Sequence, residues 1–225
     1  MRRSYQQYCA VAKALDAVGE RWTLLILRDL VHLGPRRFSD LLRALPGIGK
    51  SLLAARLRHL EQTGLVERRR LPPPAGSVVY ELTTLGRGIE PAIIELGRWG
   101  GNFMGLRDAN EAFLPSGHIS AIRATFRRDA ARDVSRRYQF VVDDEPFFVE
   151  LADGAVTACE GALPEPDLVV ETDADTSIAL MTRALSPARA LAAGRVRIEG
   201  DANELEHCID LLAWVPADAS RSATG

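Results

Sequence analysis

Between Lys50 and Gly64 the apolar residues Leu53, Leu57 and Leu60 recur at i, i+4 and i+7, one buried stripe of a helix that Gly64 ends. The opposite face carries Lys50, Ser51, Ala54, Ala55, Arg58 and Gln62, small or basic side chains that let a helix lie close to a polyanion. Upstream, Phe38, Leu41, Leu42 and Leu45 mark a shorter helix, and Pro46-Gly47 interrupts the chain before the next one begins. Two short helices joined by a tight turn predict a helix-turn-helix, whose second helix can enter the DNA major groove. Leu65 to Leu71 and Val78 to Leu82 read as strands around a proline- and glycine-rich loop, so a hairpin wing follows that helix. The run Arg68, Arg69, Arg70 puts cation density where phosphates would pass.

On the N-terminal side, Val11, Ala14, Leu15 and Val18 have helical spacing over Tyr8 to Val18, and Arg21 to Leu33 is apolar around most of its circumference. After the wing, Ile89, Ile93, Leu96 and Trp99 align along a helix predicted over Gly86 to Leu106. That stripe needs a cover, either a second copy of the chain or a second domain. The polar stretch Arg107 to Gly117 ends in Pro-Ser-Gly and marks a boundary between domains at 1–108 and 109–225. Beyond it, Tyr138 to Val142 and Pro146 to Leu151 flank Asp143-Asp-Glu, a hairpin signature, and Ala155 to Cys159 and Asp167 to Thr172 add two strands. Helices over Thr176 to Leu185 and Ser186 to Ala193, a strand over Arg195 to Glu199 and a helix over Asn203 to Val215 complete the chain. Both domains are α+β, the first mostly helical with a β-wing and the second with an antiparallel sheet.

Composition adds two constraints. No apolar run in the 225 residues approaches the roughly 20 that a membrane helix needs, and MRRSYQQY has no signal-peptide core behind it, so a cytoplasmic protein is expected. The three cysteines Cys9, Cys159 and Cys208 are far apart, which fits a reducing compartment. The net charge of −2 hides an asymmetry: residues 1–108 hold 17 basic and 10 acidic side chains, whereas 109–225 hold 11 and 20. The first half suits nucleic acid and the second would be repelled by it.

Several separate motifs, in order, carry a resemblance. They are Cys9 through Leu30 with Gly19-Glu-Arg-Trp22, Gly34-Pro-Arg-Arg-Phe-Ser-Asp-Leu41, Leu45-Pro-Gly-Ile48, Arg56-Leu-Arg-His-Leu-Glu61, Gly64-Leu-Val66 and Tyr80-Glu-Leu-Thr-Thr-Leu-Gly86. Over residues 8–104 they resemble the HxlR-type winged helix-turn-helix regulators. The resemblance implies a homodimer on an inverted repeat of double-stranded promoter DNA, with terminal helices forming the subunit interface. One departure is Gly49, where the family usually has a serine that caps the recognition helix. Asp167-Leu-Val-Val-Glu-Thr-Asp173, Leu185-Ser-Pro-Ala-Arg-Ala-Leu-Ala-Ala-Gly194 and Val196-Arg-Ile-Glu-Gly-Asp201 resemble the C-terminal half of the sterol-carrier-protein type 2 domain. That resemblance implies an apolar tunnel for a lipid or similar small molecule, and hence a ligand sensor, read as a repressor.

For DNA, Lys50, Ser51, Ala54 and Arg58 are the expected groove residues, with Arg58 the best base reader because arginine to guanine is the commonest specific contact. Arg36, Arg37, Arg68, Arg69 and Arg70 are expected on phosphates, some of them diverted into ion pairs with Glu61, Glu67 or Glu81. Phe140, Phe147, Val149, Ile178, Met181, Leu185, Leu191, Leu212 and Trp214 are candidate ligand-lining or core residues. Cys9 is a redox candidate, with Lys13 one turn on to favour its thiolate; an alternative reading is a thiol-based regulator whose second domain does not sense. His59, beside Arg58, is expected to be solvated or phosphate-facing. The four histidines lack metal-ligand spacing, and no phosphate loop, nucleophile elbow or HExxH helix occurs, so no metal, cofactor or enzymatic activity is predicted. A lipid carrier whose basic domain is a mere scaffold is the rival reading.

Overall fold

The computed structural model describes residues 4–74, 76–103, 108, 111, 114–126 and 128–213. The chain divides into two compact units, Met1–Ile93 and Ile94–Gly225. Among the described residues no helix is long and apolar enough to cross a membrane.

In the first unit α1 (Ala10–Val18), α2 (Thr23–Leu33), α3 (Phe38–Ala44) and α4 (Lys50–Gln62) precede the antiparallel hairpin β1 (Val66–Arg70) and β2 (Val78–Leu82). The α4 stripe faces inward as its spacing requires: Leu53, Leu57 and Leu60 are buried with Ile26, Leu27, Leu30, Leu41, Leu45, Val66 and Leu82. Gly47 sits in the α3–α4 turn at φ +91, a backbone region that favours glycine. At the far end Gly64 has φ +73, and the Leu65 N–H reaches back to the Leu60 carbonyl at 3.0 Å, the bond that closes a Schellman-type helix end.

Two expectations change here. On α1 it is Ala12 and Val18 that are buried, whereas Val11 and Leu15 stand 67% and 40% exposed. The helix expected over Gly86 to Leu106 is split into α5 (Thr84–Arg87) and α6 (Glu90–Gly100), separated at Gly88-Ile89 before Pro91. Of its stripe Ile93 is buried, but Leu96 and Trp99 are 44% and 61% exposed. Met104 to Leu106 lie outside the described residues.

The division between the units falls inside α6. Within the second unit the last turns of that helix pack on α7 (Pro115–Thr125): Arg98 Nε donates to the Ala124 carbonyl at 2.9 Å. Helix α7 begins inside the polar stretch expected to mark the boundary between domains. Pro115 occupies its first turn, where a missing N–H does no harm, and Ile119 and Ile122 are fully buried.

The sheet of the second unit has five strands in the order β5-β4-β3-β6-β7, with β3 Arg136–Val142, β4 Glu145–Ala152, β5 Ala155–Glu160, β6 Leu168–Thr172 and β7 Val196–Glu199. Asp143 and Asp144, both at positive φ, make the two-residue turn of the β3–β4 hairpin. The antiparallel expectation holds at three pairings and fails at β3–β6, which is parallel. The cause is the 161–167 connection, which carries the chain from edge strand β5 back across the sheet. Gln139 clamps it: its amide donates to the Gly161 carbonyl at 3.2 Å and accepts from the Leu163 N–H at 2.7 Å. Helices α8 (Ala174–Met181), α9 (Pro187–Ala192) and α10 (Ala202–Leu212) complete the unit. Tyr138, Phe147, Val149, Leu168, Leu205 and Leu212 are among its fully buried side chains.

Candidate nucleic-acid interface

Helix α4 offers its outward face to solvent. Lys50, Ser51 and Arg58 are exposed and Ala54 is half-buried. Gly49 is the N-cap at φ −81, ψ 151 with no side-chain cap, so the first N–H groups of α4 are open at its solvent end. Among the described residues Lys50, Arg58, Arg37 and Arg70 have no ion-pair partner.

The wing arginines separate into different roles. Arg69 is committed to Glu81 through two bonds of 2.6 and 2.8 Å. That hydrogen bond holds the Glu81 carboxyl below its usual range and pushes the Arg69 guanidinium up. Arg68 stacks over the Tyr80 ring at 5.6 Å and lies 4.0 Å from Glu61. Arg70 is exposed at the end of β1. Arg36 is drawn into the hairpin: its N–H donates to the Tyr80 carbonyl at 3.0 Å and its carbonyl accepts from the Tyr80 N–H at 2.7 Å, which leaves the residue half-buried. Arg37, one residue on, is exposed at the start of α3.

His59 is not turned toward solvent. Its Nε2 lies 3.0 Å from the Ala17 carbonyl of α1, and the residue is half-buried. Arg56 was not among the expected site residues. It donates to the Glu20 carboxylate at 2.9 Å and to the Arg21 carbonyl at 3.2 Å. Its position in Arg56-Leu-Arg-His59, out of step with the leucine stripe, was the only sequence signal.

Cys9 is exposed and occupies the N-cap of α1. Lys13 reaches Asp16 at 4.0 Å, so its ammonium already has a carboxylate partner. Cys159 is half-buried on β5, and burial pushes the Cys208 thiol up.

In the second unit Phe140, Phe147, Val149, Met181 and Leu212 are buried and Ile178, Leu185 and Leu191 are half-buried, while Trp214 lies outside the described residues. The β3–β4 register sets Phe140 opposite Phe147, and the rings stack at 4.9 Å. His118 of α7 lies 5.2 Å from the Phe147 ring, with its Nε2 3.1 Å from the Ser177 hydroxyl of α8. Burial alone pushes this imidazole down to about 4, so the ring is neutral near pH 7. Tyr138 donates to Glu204 Oε1 at 2.7 Å, and Arg136 Nε meets the same oxygen at 3.1 Å, fastening α10 to the sheet. Burial, then the Glu204 bond, pushes the Tyr138 phenol up.

Three packed helices, an exposed recognition helix and an arginine-bearing hairpin define a winged helix-turn-helix protein of the DNA-binding class, joined here to an α+β unit. Residues 17–108 match the HxlR-like helix-turn-helix family and residues 120–213 match the SCP-2 sterol transfer family. A Synechocystis HTH-type transcriptional regulator is 36% identical over 96 residues, which cover 43% of this chain and 70% of that protein. One from Mycobacterium tuberculosis is 43% identical over 95 residues, covering 42% of this chain and 59% of that protein. YodB, an HTH-type transcriptional regulator of Bacillus subtilis, is 37% identical over 90 residues, covering 40% of this chain and 80% of that protein. The structure of its reduced form covers 45% of this chain and all of its own, at 34% identity and a TM-score of 0.38. The chain belongs to the HxlR-like helix-turn-helix family of transcriptional regulators and carries an SCP-2 domain C-terminal to the DNA-binding fold in sequence.

Proposed function

We propose that the outward face of α4 reads the major groove through Lys50, Ser51, Ala54 and Arg58, while Arg37, Arg68 and Arg70 rest on phosphates. The observation that carries this reading is the exposure of Lys50 and Arg58 on a helix whose opposite face is locked into the core. The protein acts as a homodimer on an inverted repeat, its half-sites about 10 bp apart or a multiple of that. Exposed Val11 and Leu15 on α1 support a subunit interface there. Residues 1–108 bind DNA and dimerise, and the SCP-2 domain takes up an apolar small molecule or lipid that alters repression. A ligand acts only as far as it binds the two states of the regulator differently. The test is an anisotropy titration of a duplex from upstream of the protein's own coding region, in rising salt, with and without lipid extracted from the purified protein. Affinity should fall steeply with salt and shift when the extract is added. Flat salt dependence counts against the groove reading, and an inert extract against the ligand.

A second reading rests on Cys9, whose exposed position at the head of α1 is one where thiols react with oxidants and electrophiles. Diamide or a quinone should then change DNA affinity in the wild type and not in Cys9→Ser. Equal responses would remove it.

A further inference from the structure

The recognition helix has a third side, used neither for the core nor for the outward face. On it, Arg56 and His59 both turn toward the junction of α1 and α2. His59 Nε2 meets the Ala17 carbonyl at 3.0 Å, in the last turn of α1, where carbonyls lack an intrahelical partner. One turn away Arg56 donates Nη2 to Glu20 at 2.9 Å and Nε to the Arg21 carbonyl at 3.2 Å. The next residue, Trp22, holds a left-handed backbone at φ +79 as the N-cap of α2. Its ring lies over the α3–α4 turn, so close that a Cβ on Gly47 would meet it at 3.6 Å. Residues 17–22 therefore touch the turn before α4 and two successive points along it.

Leucine packing cannot do this job alone. Leu53, Leu57 and Leu60 set which face of α4 meets the core, but apolar burial is non-directional, so the fine rotation and axial setting of the helix gain from directional bonds beside the stripe. An arginine fork and an imidazole aimed at fixed carbonyls are directional, and the guanidinium is pre-organised. Trp22 bears a conformation that a bulky residue adopts only where its surroundings over-determine it, which marks the junction as rigid.

We propose that Arg56 and His59 are positioning residues for DNA recognition: they fix the rotation and axial setting of α4 against the α1–α2 junction, so that Lys50 and Arg58 reach the groove in register. The inference rests on the reading of α4 as the recognition helix.

The test starts from a duplex that the full-length wild type enriches out of a random library, compared with a scrambled duplex of equal length across a salt series. Arg56→Gln and His59→Leu should each lower the ratio of specific to scrambled affinity roughly tenfold, within the usual range for coupled sites. The salt slope should not change, because no phosphate contact is lost. His59→Gln, which keeps an N–H within reach of Ala17, should restore the ratio. Arg56→Glu should be impaired, and the swap Glu20→Arg with Arg56→Glu should recover part of the ratio, since it rebuilds the ion pair but leaves the Arg21 carbonyl without its donor. Thermal melts report the folded fraction of every variant. Equal losses on both duplexes with a slope lower by about one unit would make Arg56 a phosphate contact and overturn the inference. So would affinities that merely track the folded fraction, or variants that bind like wild type. If the wild type enriches no duplex, the reading of α4 fails first and the inference with it.

Discussion

Gly86 closes the motif Tyr80-Glu-Leu-Thr-Thr-Leu-Gly86, and Gly86→Ala tests why a glycine stands there. A Cβ at this position would lie 1.9 Å from the Leu65 carbonyl oxygen and 2.9 Å from its carbon, against a floor of 3.0 Å for real Cβ contacts. Its obstacle is backbone, so no side-chain rotation relieves it, and the strand entry at Leu65 must retreat by about an ångström, an overpacking strain. The Leu65 oxygen accepts the Thr83 N–H at 3.1 Å, and Thr83 caps α5 through its hydroxyl, so the retreat also weakens that bond. Overpacking of about 2 kcal/mol and a hydrogen bond of about 1 kcal/mol together predict a loss of about 3 kcal/mol. In a unit of this size that lowers the melting temperature by on the order of 15 °C. Circular-dichroism melts of wild type, Gly86→Ala and Gly88→Ala check it. Gly88→Ala is the control, since its Cβ meets only the Leu85 oxygen at 3.2 Å. A Gly86→Ala protein melting within about 2 °C of wild type would refute the steric reasoning.

Gly49 is the uncapped N-cap of α4 in an extended conformation with open space around it, so Gly49→Ser should add a few tenths of a kcal/mol, seen as a melting point slightly above wild type. Arg70→Ala should weaken binding to all sequences alike and lower the salt slope by about one unit, whereas Arg69→Ala, already committed to Glu81, should leave that slope nearly unchanged. His118 is held neutral in the folded protein at a value near 4, against 6.5 for the free side chain. On acidification the unfolded chain takes the proton first, so this contribution is intact above pH 6.5 and is lost as pH falls toward 4. Urea midpoints of the second unit should register a loss of about 2 kcal/mol between pH 7.5 and 5, and His118→Gln should flatten that dependence.

The helix-turn-helix and its wing were legible because their signals are local. The leucine stripe sets which face of α4 is buried, Gly47 and Gly64 place its ends, and the arginine run lies on the first wing strand, just before the turn that the hairpin requires. Cross-chain geometry was not legible. The spacing of Val11 and Leu15 is helical, but period alone does not say which side of α1 meets the core. Arg36 and Arg37 are adjacent and chemically alike, yet pairing with Tyr80 draws the first into the hairpin and leaves the second exposed. His59 looked solvated beside Arg58 because its partner, Ala17, lies 42 residues earlier. In the second unit the hairpin strands were plain from β-branched and aromatic runs around Asp143-Asp144. The parallel β3–β6 pairing depends on a polar residue inside a strand, Gln139, whose hydrogen bonds carry the crossover. Helix α7 was hidden because Pro-Ser-Gly reads as a breaker until Pro115 is seen to start a helix.

Selection of duplexes from a random library, run in parallel with wild type and Arg58→Ala, tests the central claim most directly. The account predicts that the wild type enriches an inverted repeat with half-sites about 10 bp apart or a multiple of it, and that Arg58→Ala loses the base preference at one symmetric position, a discrimination of about 1–3 kcal/mol. Enrichment of nothing by the wild type, or an unaltered consensus from Arg58→Ala, would contradict it.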